Sequence, residues 1–500
     1  MINSIKHILR LIKIALVLYR NGALFILHDL RIALPLYNFL RLIPFQETGK
    51  RKGERLAKAL EDLGPVFIKF GQTLATRSDI IGEEMAKDLS MLQDKLPPSI
   101  DVWVEKEIEK ELHGKISTLF RSFDNKAVAA ASIAEVFKAV TPDGKIVAVK
   151  VLRQGVEEQF ARDIELFFWL AHIIEKHLPF AKRLRPVDVV KTFARCVSIE
   201  MDLRLEAAAA SELKDNLEND DGVYIPEVDW ARTARRVLTL EWIDGIQIHD
   251  TKRLVKAGFN LKKLCANFAT LFFNQAYRDG FFHADMHPGN VLVDKQGRIV
   301  FIDFGIMGRL DKKSRVFIAE ILHGFLKRDY MAVAKIHFAA GYVSHQYSIA
   351  DFAQACRSIG EPIVGLPSNE MSVAKLLAHL FQVTKDFEMQ TQPQLLLIQK
   401  TTVLVEGVGS KLDPSVNIWK LAEPWIEQWA NQNIGFDAKI VDASSDIIEF
   451  LRYDLPNYLK NYTPKQEAEN NATNDRNYGL FSLIVVGIIA ATIAAVIACQ

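Results

Sequence analysis

The run FFHADMHPGNVLVDKQGRIVFIDFG, residues 281–305, sets two His, three Asp, one Asn and a Pro-Gly pair between two apolar segments. Asp285 and Asn290 are five apart, and Asp303, in the triplet Asp-Phe-Gly, follows the Asn by thirteen residues. Phosphoryl transfer needs a carboxylate near the incoming nucleophile, together with an amide and a second carboxylate that offer hard oxygens to Mg2+. Asp285, Asn290 and Asp303 supply all three. The segments VLV and RIVFI flank the turn DKQG and read as a hairpin, which would return Asp303 to the side of Asn290. Asp-Phe-Gly alone is weak; His-x-Asp, four residues, Asn and Asp-Phe-Gly at these separations are strong.

His283 and His287 have the i, i+4 spacing of a zinc-binding helix, but Ala284 stands where such a motif has Glu. Pro288-Gly289 also disfavours a continuing helix. The two histidines are therefore expected to hold the loop through hydrogen bonds rather than to bind zinc.

Upstream, IVAVKVL places Lys150 on the strand face opposite Val149 and Val151. A lysine in so apolar a strand wants an anionic partner. Glu200 and Glu206 are candidates, with Glu158 and Glu165 almost equal to them. The preceding arm, Val128, Ala129, Ala130, Ala131, Ser132, Ile133, Ala134, Glu135 and Val136, puts alanine at the glycine places of a phosphate-covering GxGxxGxV loop. Alanine keeps the loop small but restricts positive φ, so this loop should be stiffer than a glycine one. The two arms and the turn TPDGK read as a β-hairpin.

The order along the chain is helical from about 50 to 112, then the hairpin. Helices through VVKTFARCVSIEMDLRLEAAAASELKDNL follow, then strands in IPEVDW and RRVLTLEWIDG, and a helix-rich half from Lys252. Four scattered cysteines without a CxxC pair argue against disulfides and Cys-type zinc sites. A net charge of +1 gives no global case for nucleic acid.

Local charge says more. The first 60 residues carry 11 Lys or Arg against 3 Asp or Glu. Lys6, Arg10, Lys13 and Arg20 form a basic stripe opposite Ile5, Ile8, Leu9, Ile12 and Leu16, the pattern of a helix lying in a membrane interface or packed on the main body. Residues 479–499 run 21 positions without charge and read as a transmembrane helix. The basic residues before it place the bulk of the protein in the cytoplasm.

Assembled, these features resemble the protein-kinase-like fold. Within it the chain is similar to the UbiB family of atypical kinase-like proteins, also called the ADCK family, which supports ubiquinone biosynthesis. The resemblance spans about residues 50–420: KxGQ at Lys69–Gln72, AAAS at Ala129–Ser132, ExDxxxE at Glu200, Asp202 and Glu206, the HxDxHPGN loop, DFG, and EGVGSKLDP at 406–414. It implies an α+β, two-lobed kinase-like fold with a helical N-terminal extension and a C-terminal transmembrane helix. The implied parts are a membrane-associated N-terminus (1–45), the KxGQ extension (46–120), the kinase-like domain (121–420), a helical and polar region (421–478) and the tail (479–499).

It further implies ATP and Mg2+ as cofactors. Lys150 would contact phosphates and pair with Glu200. Asp285 would be the catalytic base, and Asn290 and Asp303 would hold the metal. Lys69 and Gln72 would reach into the active site, with Glu206 as partner of Lys69. The activity implied is ATP hydrolysis or small-molecule phosphorylation at the cytoplasmic face of the inner membrane. The implied partners are membrane lipid, polyprenylated quinone precursors and other ubiquinone-biosynthesis proteins, with no nucleic acid.

Overall fold

A Gly-Pro pair and a run of short helices open the body of the protein. The computed structural model describes residues 2–25, 51–75, 81–89, 103–177, 186–364 and 393–415, with isolated positions at 92, between 383 and 389 and between 421 and 429. The apolar run 479–499 lies outside the described residues. Among the described residues no helix is long and apolar enough to cross a membrane.

Helix α1 (Ile2–Arg20) is followed by α2 (Lys52–Leu63) and α3 (Pro65–Ala75). Gly64 between the last two sits at φ 105, which a Cβ disfavours, and Pro65 opens α3 where no N–H is needed. α4 (Glu83–Leu89) packs on both. Gly71, inside KxGQ, is needed for close packing: a Cβ there would lie 2.5 Å from Leu92 and 2.6 Å from Leu60.

The amphipathic helix at the N-terminus forms, and Arg10 and His7 turn inward from it while Lys13 and Arg20 stay exposed. Arg10 donates from Nε and Nη2 to Asp163 at 2.9 and 2.8 Å, and His7 stacks on Trp169. Asp163 is buried, so its carboxylate needs a cation. Leu9, Ile12 and Leu16 consequently face outward at 63%, 52% and 49% exposure.

α5 (Val104–Leu112) and α6 (Ile116–Leu119) lead into β1 (Ser122–Phe123), β2 (Ala129–Ala130), β3 (Ala134–Val140) and β4 (Ile146–Leu152). Strand alternation in β4 buries Val147, Val149 and Val151 against Phe137, Phe120, Trp103 and Ile108, while Lys150 points to the opposite face. Each fully buried valine contributes about 1.5–3 kcal/mol to this core. The expected hairpin is present, with Val136 opposite Lys150.

α7 (Val156–His177), α8 (Pro186–Glu200) and α9 (Leu203–Asn216) follow. The helix expected to run through residues 189–217 is broken at Met201–Asp202. Asp202 is extended, and its side chain accepts the Arg204 N–H as an N-cap, so a new helix starts there. β5 (Val223–Tyr224), β6 (Val237–Glu241) and β7 (Ile246–Gln247) come next. The strand expected at IPEVDW reduces to one bridge, Val228 to Leu240, because Asp229 caps a 3-10 turn over Trp230–Arg232. β6 completes the first sheet in the order β1-β3-β4-β6, with β2 on β3.

The second lobe contains α10 (Thr251–Lys256), α11 (Leu261–Phe273), β8 (Phe281–His283), β9 (Val291–Val293), β10 (Ile299–Phe301) and β11 (Met307–Arg309). Its larger sheet runs β5-β10-β9-β7, and β8 pairs with β11. α12 (Lys312–Leu326), α13 (Tyr330–Ala339), α14 (Ile349–Val364) and α15 (Pro393–Leu412) complete the described part.

His337 on α13 is buried against Tyr342 and Phe352, and its Nδ1–H donates to the Val333 carbonyl at 2.8 Å. Burial pushes its pKa down from 6.5 to about 4. The unfolded chain therefore binds the proton more readily, so the stabilisation is full above pH 6.5 and is lost as pH falls toward about 4. That interval corresponds to about 3 kcal/mol. His337→Leu is expected to flatten the fall of Tm between those pH values; an unaltered slope would show that His337 does not control it.

Candidate active site

Lys150 lies between two carboxylates. Its Nζ donates to Glu206 Oε1 and Oε2 at 2.7 and 2.9 Å and to Asp303 Oδ2 at 3.3 Å. Glu206, in the first turn of α9, is buried and also accepts the Phe304 N–H at 3.3 Å. Burial alone would lower the Lys150 pKa, but the charges of Asp303 and Glu206 raise it on balance, so the ammonium stays protonated.

This corrects the pairing implied by the resemblance. Glu200 pairs not with Lys150 but with Lys69, at 3.1 Å, and Glu206 pairs with Lys150. The break at Asp202 is the reason. Glu200 ends α8 and faces α3, whereas Glu206 belongs to α9 and faces β4. Even an unbroken helix would set residues six apart about 120° from each other. Gln72 donates from Nε2 to the Leu92 carbonyl at 3.3 Å.

The Asp-Phe-Gly carboxylate is strongly acidic. Partial burial pushes Asp303 up, but the Lys150 charge and the Gly305 N–H, at 3.0 Å from Oδ1, outweigh it and hold the pKa at about 2. The β9–β10 hairpin returns the chain as expected: Ile302 N–H donates to the Asn290 carbonyl at 3.1 Å. Asn290 Nδ2 donates to the Asp285 carbonyl at 3.1 Å and to Asp285 Oδ2 at 3.0 Å, which leaves the Asn290 amide oxygen as acceptor for a cation. Among the described residues no group of three or more His, Cys, Asp or Glu is arranged around a metal position. A nucleotide-borne Mg2+ needs only one or two protein oxygens, because phosphates and water complete its shell; Asn290 and Asp303 fit that requirement.

His283 and His287 serve the loop. His283 is buried; its Nε2–H donates to the Asp303 carbonyl, and its Nδ1 accepts the Asp285 N–H at 3.2 Å. One imidazole thus links Asp285 to Asp303 in a single tautomer, and burial lowers its pKa toward the neutral form. Gln275, fully buried, accepts the His283 backbone N–H at 3.0 Å. His287 Nδ1 accepts the Gly289 N–H at 3.2 Å.

In the alanine loop, Ala129 pairs with Val136 and Ala130 with Glu135, and the Ala131 N–H closes the turn on the Ala134 carbonyl at 2.8 Å. Among the described residues only His113 and Arg328 are non-glycine positions at positive φ, so this turn needs no glycine. Arg153 pins it, donating from Nε to the Ala131 carbonyl at 3.1 Å and pairing with buried Glu135 at 3.3 Å. Ser132 is fully buried and its Oγ has no hydrogen-bond partner among the described residues, a hydroxyl open to a ligand oxygen.

Two contacts from α15 were not anticipated. Lys400 Nζ lies 3.6 Å from Asp285 Oδ1, and Thr401 Oγ1 lies 3.3 Å from the Ala284 carbonyl. The signal available in sequence was a single lysine in the otherwise uncharged run PQLLLIQKTTVLV.

Residues 91–337 match the model of the ABC1 atypical kinase-like domain and residues 356–417 that of the UbiB helical domain. A relative from Marinobacter nauticus named "Probable protein kinase UbiB" is 41% identical, over 85% of this chain and 78% of its own. One of the same name from Aliivibrio fischeri is 39% identical, over 81% of this chain and 76% of its own. A solved structure of Mycobacterium tuberculosis Rv3197 in complex with erythromycin aligns with TM-score 0.49 at 24% identity, covering 71% of this chain and 89% of that one. With the kinase-type loop, the DFG carboxylate and the helical segment behind them matched over most of its length, the chain belongs to the UbiB family of atypical kinase-like proteins.

Proposed function

We propose that this protein is a membrane-associated, kinase-like ATPase that binds Mg-ATP and supports ubiquinone biosynthesis. The observation that carries the reading is Lys150 held charged between Glu206 and Asp303, on the strand facing a loop that presents Asp285 and Asn290. Mg2+, when held by Asn290 and Asp303, would neutralise phosphate oxygens. Lys150 would orient the phosphates, and the alanine turn with its Ser132 hydroxyl would cover them. Asp285 would orient the nucleophile and accept its proton. Lys69, tied to Glu200, brings the KxGQ helix beside this site, which favours water or a small molecule over a protein chain as acceptor.

Membrane lipid and polyprenylated quinone precursors are the proposed surroundings, with other ubiquinone-biosynthesis proteins as partners, at the cytoplasmic face of the inner membrane. The outward stripe of Leu9, Ile12 and Leu16 and the apolar run 479–499 support that placement.

Quinone content in cells lacking the family member is the decisive measurement. The wild-type chain should restore it, and Asp285→Asn, expressed to the same level, should not. Full restoration by Asp285→Asn would replace the catalytic reading with that of a nucleotide-binding scaffold.

A further inference from the structure

The loop His283–Asn290 contains no lysine or arginine of its own. Phosphoryl transfer spreads negative charge over the oxygens of the moving group, and a cation beside the carboxylate that faces the nucleophile would add to the compensation that Mg2+ and Lys150 supply. Lys150 is held between Glu206 and Asp303 and makes no ion pair with Asp285 among the described residues.

Lys400 fills that position from a different part of the chain. The two oxygens of Asp285 are divided: Oδ2 accepts from Asn290 Nδ2 at 3.0 Å, and Oδ1 faces Lys400 Nζ at 3.6 Å. The lysine is not a loose surface group, because α15 is docked against the loop. Thr401, fully buried, lies with its Oγ1 3.3 Å from the Ala284 carbonyl, and α15 packs on α11 and β11. The Lys400 side chain nevertheless stays 37% exposed, so its ammonium can leave the carboxylate when another anion arrives. An ion pair this exposed adds little to stability, so its effect falls mainly on charge at Asp285 and its surroundings.

We propose that Lys400 is a catalytic residue that binds an oxygen of the transferred phosphoryl group, supplying from the UbiB helical segment the cation that the loop lacks. The assignment rests on the nucleotide reading above. For hydrolysis, the bond between the γ-phosphorus and the bridging oxygen breaks and its electron pair leaves with ADP. A bond forms from water oxygen to that phosphorus, and the water proton goes to Asp285. Lys400 keeps its proton throughout and exchanges Asp285 Oδ1 for a phosphoryl oxygen, which frees that carboxylate oxygen to receive the proton.

The test uses the full-length wild-type chain, Lys400→Met and Lys400→Arg, with Mg-ADP and Mg-β,γ-imido-ATP titrated by melting shift and ATP turnover measured in parallel. Lys400→Met should bind Mg-ADP as the wild type does, bind the imido analogue about tenfold more weakly, and turn over about a hundredfold more slowly; Lys400→Arg should recover part of both. Equal loss of both nucleotides, or turnover equal to wild type, would overturn the assignment. A wild-type chain bound by neither nucleotide would instead overturn the nucleotide reading and this assignment with it. Wild-type binding of both with no change in Lys400→Met would overturn Lys400 alone.

Discussion

Asp303→Asn is expected to remove the Mg2+-dependent rise in Tm that ATP gives the wild-type chain, and to lower ATP turnover by about a thousandfold. At a ligand concentration a hundred times Kd, binding stabilises a protein by about 2.7 kcal/mol, so the lost shift is readily measured. The substitution is nearly isosteric and removes the negative charge together with one acceptor oxygen, the one that faces Lys150 if the amide oxygen keeps the Gly305 N–H. Lys150 and the Gly305 N–H hold Asp303 at a pKa of about 2, so the wild-type carboxylate is fully charged at neutral pH and available to a cation. Lys150 keeps its bidentate bond to Glu206 in the variant, so the strand and helix that frame the site stay joined. Without nucleotide the variant should therefore melt close to the wild type. A Mg2+-dependent shift of the wild-type size in Asp303→Asn would remove Asp303 from metal binding.

Glu206→Ala and Glu200→Ala should differ sharply, although the two residues belong to one motif. Glu206 is 8% exposed and shares its oxygens between Lys150 and the Phe304 N–H. Removing it leaves a buried ammonium with only the partly exposed Asp303, and breaking a buried pair in this way costs about 3–5 kcal/mol. Nucleotide stabilisation should be lost as well, since Lys150 loses the group that aims it. Glu200 and Lys69 are exposed at 20% and 11% and join α8 to α3, with Glu200 paired to Lys69 rather than to Lys150, so Glu200→Ala should cost less stability and leave Mg-ADP binding in place. Urea unfolding and Mg-ADP titration of both variants decide the matter. Equal losses in the two, or a larger loss of nucleotide binding in Glu200→Ala, would contradict the observed pairing.

The parts of the fold legible in sequence were those set by local geometry. Alternation in IVAVKVL placed Lys150 opposite three buried valines, and the turn residues around DKQG returned Asp303 to Asn290. Supporting roles for His283 and His287 followed from the proline and glycine that end any helix there, and the bonds to Asp303, Asp285 and Gly289 realise them. Less legible was the helix break at Asp202, since the polar residues before it and the alanines after it read as one helical run. An aspartate in such a run can either sit on a solvated face or cap a new helix, and only the surrounding packing selects between these.

By itself the sequence determined the chemistry: a carboxylate, an amide and a second carboxylate at kinase spacing, an apolar strand carrying one lysine, and an alanine turn in place of a glycine one. Only the tertiary structure decided which charges meet. Glu200 and Glu206 are six residues apart yet serve different lysines, and Lys400 reaches Asp285 from 115 residues further along the chain. Likewise Arg10 turns to buried Asp163, while Leu9, Ile12 and Leu16 of α1 face outward beside exposed Lys13 and Arg20. The physical reason is common to all three. An ion pair is settled by the distance and burial of its partners, and both arise from helix breaks and packing between distant segments, which residue spacing does not encode.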